Sequence, residues 1–241
     1  MRIKVIPVTP FSQNCSLLIC TSTKKAALVD PGGDIERIFD VIKEESVTVE
    51  KILLTHGHLD HCGASSQIRD RFKVPIEGPH KEDQFWIDQL EEQSKQFGLP
   101  HSSPFIPDRY LNEGDTVDFG KIKLHVKHCP GHTPGHVIFF CEKNKIAIVG
   151  DVIFNGSIGR TDFPRGDYDT LIQAITTKLL PRPWERARPS TRLRRSPARR
   201  FSITNRVSRW PWKIRAVARH DCWSKRGPAL IRCAETSSRK R

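Results

Sequence analysis

Thr55-His56-Gly57-His58-Leu59-Asp60-His61 follows the strand-like run Lys51-Ile52-Leu53-Leu54 and precedes a stretch of helical pattern that starts near Gly63. Three imidazoles and one carboxylate within six residues are costly as packing, because every buried polar group needs a partner. They are natural as metal ligands. His56 and His58 are two residues apart at a strand end, so they project to one side and can grip one cation. Asp60 and His61 lie further round the bend and can reach a second. Imidazole and carboxylate together suit zinc and, less selectively, iron or manganese.

Outward from this stretch, the pattern alternates strands and helices. Residues 3–8, 15–20 and 25–29 are short apolar or β-branched runs that read as an antiparallel meander. Asp30-Pro31-Gly32-Gly33 closes the third run, and Asp34 caps a helix whose Ile35, Ile38, Phe39 and Ile42 keep helical spacing. Beyond the histidines, residues 64–72 read as a helix and 74–77 as a short strand. Residues 81–97 read as one longer helix carrying Phe85, Ile87 and Leu90, stopped by Gly98-Leu99-Pro100. Residues 116–119, 121–127, 137–141 and 145–149 form a second strand series, and 167–180 form an amphipathic helix. Two strand-rich halves with interspersed helices predict two facing sheets with helices outside.

The second half supplies more candidates. Cys129-Pro130-Gly131-His132-Thr133-Pro134-Gly135-His136 joins two strands through a loop that proline and glycine stiffen. His132 adds a third nitrogen for the first cation, and Asp151, just past a strand end, can bridge both.

These motifs, in this order, resemble the metallo-β-lactamase superfamily. Phe11-Ser12-Gln13-Asn14-Cys15, Asp30-Pro31-Gly32-Gly33 and the run from Gly159-Arg160-Thr161-Asp162 to Phe163-Pro164-Arg165-Gly166-Asp167 are similar to its glyoxalase II-like branch. The resemblance implies an α+β fold, a four-layered αββα sandwich over residues 1–180. It implies His56, His58 and His132 on one metal, and Asp60 and His61 on the other with Asp151 between them. It also implies orienting roles for Asp30 and His136, and a place for Arg160 opposite a substrate carboxylate. Asp60 and Asp151 then serve the chemistry directly. Two zinc ions (or iron or manganese) sharing a water would bring its pKa toward neutrality and polarise a carbonyl. A thioester suits such a site, because its thiol has a pKa near 8.5 and departs without a dedicated acid. Hydrolysis of a small acylglutathione-type thioester is therefore the expected reaction. The alternative on the same scaffold is an iron-dependent persulfide dioxygenase using His56, His132 and Asp151.

The composition divides the chain. Residues 181–241 hold 19 of the 40 Lys and Arg but only 3 of the 27 Asp and Glu, a net of +16 against −3 for residues 1–180. The resemblance ends there: the expected Pro-Gly-His-Gly-like loop, whose histidine would complete the second metal, is absent from the sequence, and His220 is the only histidine of the tail. Three readings of the tail compete: a shifted reading frame, a basic segment binding nucleic acid through Arg and Trp, or a solvated extension. A partly filled second metal site, weakened hydrolysis and an uncovered sheet edge that lowers solubility are the expected consequences. The seven cysteines are scattered without a Cys-x-x-Cys pair, so Cys62 and Cys129 read as small buried apolar residues. No run approaches membrane-spanning length and residues 1–7 lack a signal-peptide pattern, so a cytoplasmic protein is expected.

Overall fold

A computed structural model of the chain describes residues 1–180 and the backbone of Lys213–Arg215. The expectations for residues 181–241, including His220, otherwise lie outside the described residues. Five strands form the first sheet: β1 (Arg2–Val8), β2 (Gln13–Ile19), β3 (Lys25–Val29), β4 (Thr48–Leu53) and β5 (Ile76–Glu77), in that spatial order. The first three make the expected antiparallel meander, while β4 and β5 add in parallel across helical crossovers.

The second sheet holds β6 (Thr116–Phe119), β7 (Ile122–His128), β8 (Val137–Cys141) and β9 (Ile146–Ile148), paired antiparallel in chain order. A two-stranded ribbon, β10 (Ile153–Phe154) with β11 (Ser157–Ile158), follows. The edge expected to be bare is instead occupied: β12 (Lys213–Arg215) pairs in parallel with β9. Its backbone gives the β9 edge the partner that an open edge lacks.

Strand alternation builds the layers. Leu17 and Ile19 enter one core with Ile38 and Ile42 of α1 (Ile35–Glu45). Their neighbours Leu18 and Cys20 face a second core, shared with Leu124, Val126, Val137 and Phe139 of the opposite sheet. Ile138 and Phe140 turn away into a third core with Leu171, Ala174 and Ile175. Because both faces of β2, β3 and β8 are covered, these strands read as nearly continuous apolar runs. The sequence of layers is helix, sheet, sheet, helix, an α+β αββα sandwich.

Two helices differ from expectation. Residues 81–97 are not one helix. They split into a 3₁₀ turn (Lys81–Asp83), α4 (Gln84–Ile87) and α5 (Leu90–Phe97); α2 (Leu59–Cys62) and α3 (Ser65–Phe72) precede them. The break follows from competition for one carbonyl: Gln89 N and the Gln93 amide both donate to Trp86 O. The last helix begins at Asp167, whose carboxylate caps Thr170 N. After α6 (Tyr168–Ala174) it widens into a π-turn over Ile175–Leu179.

Candidate metal centre

The site forms where the C-terminal end of β4 meets the loops after β7 and β9. Leu54 leads from β4 into Thr55, and α2 carries Asp60 and His61. The β7–β8 loop brings in His132 and His136, and Asp151 follows β9. One donor atom from each of His56, His58 and His132 falls within 4.8 Å of the others, and so does one from each of His56, His61 and Asp151. His56, His61 and His136 are fully buried.

Hydrogen bonds assign the tautomers. Thr55 Oγ1 donates to Asp30 Oδ2 at 2.7 Å, so it can only accept from His56 Nδ1–H at 3.0 Å, which leaves His56 Nε2 with a lone pair. His132 Nδ1–H donates to the Arg160 carbonyl at 2.7 Å, freeing His132 Nε2 in the same way. Both lone pairs stand 3.1 Å from His58 Nδ1. One proton at most lies between two acceptors there. The edge of a tetrahedron with metal–nitrogen arms of 2.0–2.1 Å is roughly 3.3 Å, so the three nitrogens fit a cation better than they fit one another.

The second group is organised by the same aspartate. Asp30, fully buried, accepts from Thr55 N at 2.7 Å and from His61 Nδ1 at 3.1 Å. His61 Nε2 then points to Asp151 Oδ1 at 3.3 Å and Asp60 Oδ2 at 3.7 Å. Facing one another there, His61 Nε2 and Asp151 Oδ1 are buried without a hydrogen-bond partner. Atoms of this kind are rare unless an ion or water completes them. The donor set therefore fits one or two cations.

Electrostatics agrees. Burial alone would lower His61, yet the Asp151 and Asp60 carboxylates hold it well above its ordinary value. Burial alone would raise Asp151, yet His61 keeps it well below the carboxylate range. The His61 proton thus occupies the place a cation would take. Burial lowers His56, His58 and His132, leaving them neutral, as ligands must be. Burial pushes Asp60 up to about 6, with His61 opposing.

His136 stacks on His56 at 4.7 Å and accepts from Asp151 N at 3.1 Å, so it orients a ligand rather than joining the convergent donors. Arg160 is engaged within its own loop. Its guanidinium pairs with Asp162 at 2.6 and 2.9 Å and lies over Phe163, while its carbonyl serves His132. Cys62 and Cys129 are buried and free.

Sequence reasoning missed Asp83, Thr55 and the aromatic wall. Asp83, expected inside a helix, is fully buried and accepts from Gly57 N (2.9 Å), Thr133 Oγ1 (2.7 Å) and Gly135 N (2.5 Å). One carboxylate thereby ties the first histidine loop to the second. A β-carbon on Gly135 would stand 2.5 Å from Asp83 N, so only glycine admits this approach. Trp86 and Phe163 flank His58 at 4.6 and 4.8 Å and form the apolar side of the mouth. Only the repeated Gly-His pairs, with their need for close neighbours, could have signalled that something braces these loops.

An αββα sandwich with two convergent His/Asp donor groups at the loop ends of its sheets defines a metal-dependent enzyme scaffold. The sequence profile described as the metallo-beta-lactamase superfamily matches residues 8–184, and the chain belongs to that superfamily. It is 50% identical over 182 residues to the hydroxyacylglutathione hydrolase GloC of Haemophilus influenzae, covering 75% of this chain and 85% of that protein. Among solved structures, the BLEG-1 B3 metallo-beta-lactamase superposes with a TM-score of 0.69 at 36% identity, covering 75% of this chain and 86% of its own. TTHA1623, solved in a di-iron-bound form, follows with a TM-score of 0.66 at 30% identity, covering 73% and 85%. Among the described residues, no helix is long and apolar enough to cross a membrane.

Proposed function

We propose that this chain is a metal-dependent hydrolase that cleaves a thioester of the acylglutathione type, with zinc as its cation. The carrying observation is the pair of donor groups whose lone pairs are aimed inward by Thr55, Asp30 and the Arg160 carbonyl. The 50% identity to a hydroxyacylglutathione hydrolase supports the substrate class. Bound cations would supply a nucleophilic water near neutral pH and polarise the thioester carbonyl.

The chain's own residues do the rest. His56, His58 and His132 would hold the first cation, and His61, Asp60 and Asp151 the second. Trp86 and Phe163 exclude water on the His58 side. Arg160 would meet a substrate carboxylate by exchanging its Asp162 partner, which is solvent-exposed. The thiol leaves as thiolate, so no acid is needed on the far side. The five described cysteines are free and buried, which suits a reducing cytoplasm.

The test is to load the full chain with zinc and follow S-acylglutathione cleavage with and without chelator, beside oxygen uptake with a glutathione persulfide. Chelator-sensitive thioester cleavage without oxygen uptake supports the proposal. Oxygen uptake by an iron-loaded sample that leaves thioester intact would replace it with the dioxygenase reading.

A further inference from the structure

Outside the main centre, a second convergence of ligating side chains stands on the far side of the β7–β8 loop. His80, Glu82 and His128 each place one donor atom within 4.8 Å of the other two. The two imidazoles are stacked, 4.3 Å apart at 19°, so the part-exposed His80 ring has to turn out of the stack for both rings to meet one ion in-plane. His128 Nε2–H donates to the Pro134 carbonyl at 2.7 Å, so in the neutral ring the lone pair is on Nδ1. Burial lowers the His128 pKa, and its ring is neutral at physiological pH. His80 Nδ1 accepts a long 3.3 Å bond from Glu82 N and stands 3.9 Å from the Glu82 carboxylate. That bond is near the limit of hydrogen bonding, and its loss costs little. The nearby Lys178 ammonium is engaged by the His128 carbonyl and by Glu113.

We propose that His80, Glu82 and His128 form a separate binding site for a single divalent transition-metal ion, zinc, nickel or copper. Two imidazoles and a carboxylate favour such ions over magnesium or calcium. Glu82 is exposed and His80 partly so, which leaves room for water to complete the coordination shell and makes the site weaker than the buried centre. The position gives it a consequence. His80 N–H donates to Gly135 O and His128 Nε2–H to Pro134 O, so both histidines already grip the loop that carries His132 and His136 inward. An ion joining His80 to His128 clamps that loop from outside. The site rests on these three side chains alone and stands whether or not the chain cleaves thioesters.

The test counts zinc by equilibrium dialysis of the full chain over a range of free zinc, with thermal melts on the same samples. His80→Asn keeps a side-chain acceptor for the Glu82 N–H, and Glu82→Gln changes only an exposed side chain. Each is expected to lose one weakly held zinc, its affinity falling by more than the roughly 10–100-fold typical of losing an outer partner. The zinc of the buried centre is retained, and the melting rise at high zinc becomes smaller than in the wild type. Equal zinc uptake by wild type and Glu82→Gln, or loss from the tight class only, overturns the proposal.

Discussion

Asp83→Asn isolates the brace between the two histidine loops. The carboxylate receives three charge-assisted bonds, each contributing roughly 1.5–3 kcal/mol. Burial still raises Asp83 to about 6 with those three bonds opposing it, so the bonds offset most of the desolvation and leave the carboxylate largely ionised at pH 7. In the asparagine variant the remaining oxygen can serve Gly57 and Thr133, but an NH₂ then faces Gly135 N–H across 2.5 Å. A buried donor against a donor should cost about 2–4 kcal/mol, a melting drop of roughly 5–15 °C for a domain of this size. Because Gly57 lies between His56 and His58 and Gly135 beside His136, zinc affinity should fall roughly 10–100-fold. Melts of the metal-free variant give the first quantity and chelator competition the second. A folded variant that binds zinc as tightly as wild type would show that Asp83 stabilises the fold without positioning the ligands.

Thr55→Val removes the hydroxyl that relays Asp30 to His56 Nδ1, and should weaken zinc binding roughly 10–100-fold by chelator competition. Gly135→Ala places a β-carbon within 2.7 Å of the Asp83 carboxylate and should reproduce the Asp83→Asn zinc defect, measured in the same way. Melts of the metal-free chain between pH 5 and 8 should show stability falling as pH drops below about 6.5. His56, His58, His132 and His136 have folded pKa values lowered by burial, so their contribution is present above the unfolded value near 6.5 and lost as the solution acidifies. Asp60 and Asp83, raised to about 6, act in the opposite direction between about 6 and 3.8 but are outnumbered.

The fold was legible because both faces of its central strands are covered, giving apolar runs at strand length, and because α1 keeps a clear helical period. The break at Asp88–Gln89 was not, since the buried positions Trp86, Ile87, Leu90, Gln93 and Ser94 keep helical spacing straight through it. The interruption is a hydrogen-bond competition at one carbonyl, which no spacing records. At the site, His56, His58, Asp60 and His61 announce themselves by density, and His132 by its Gly/Pro loop. Asp83 does not, because its partners are two backbone amides and a hydroxyl brought together only by folding. Arg160 shows the reverse case: its position was legible, but its engagement by Asp162 and the use of its carbonyl by His132 are products of the loop geometry.

The most direct test of a thioester hydrolase built on these ligands is to titrate zinc into the metal-free chain while counting bound zinc and following acylglutathione cleavage in one sample. The Glu82→Gln background removes the outer site from the count. One zinc should bind tightly and a second more weakly, with cleavage rising as the second fills and both the tight zinc and cleavage lost in His58→Ala. Two bound zinc ions with no cleavage, or a tight zinc that survives His58→Ala, would contradict the account.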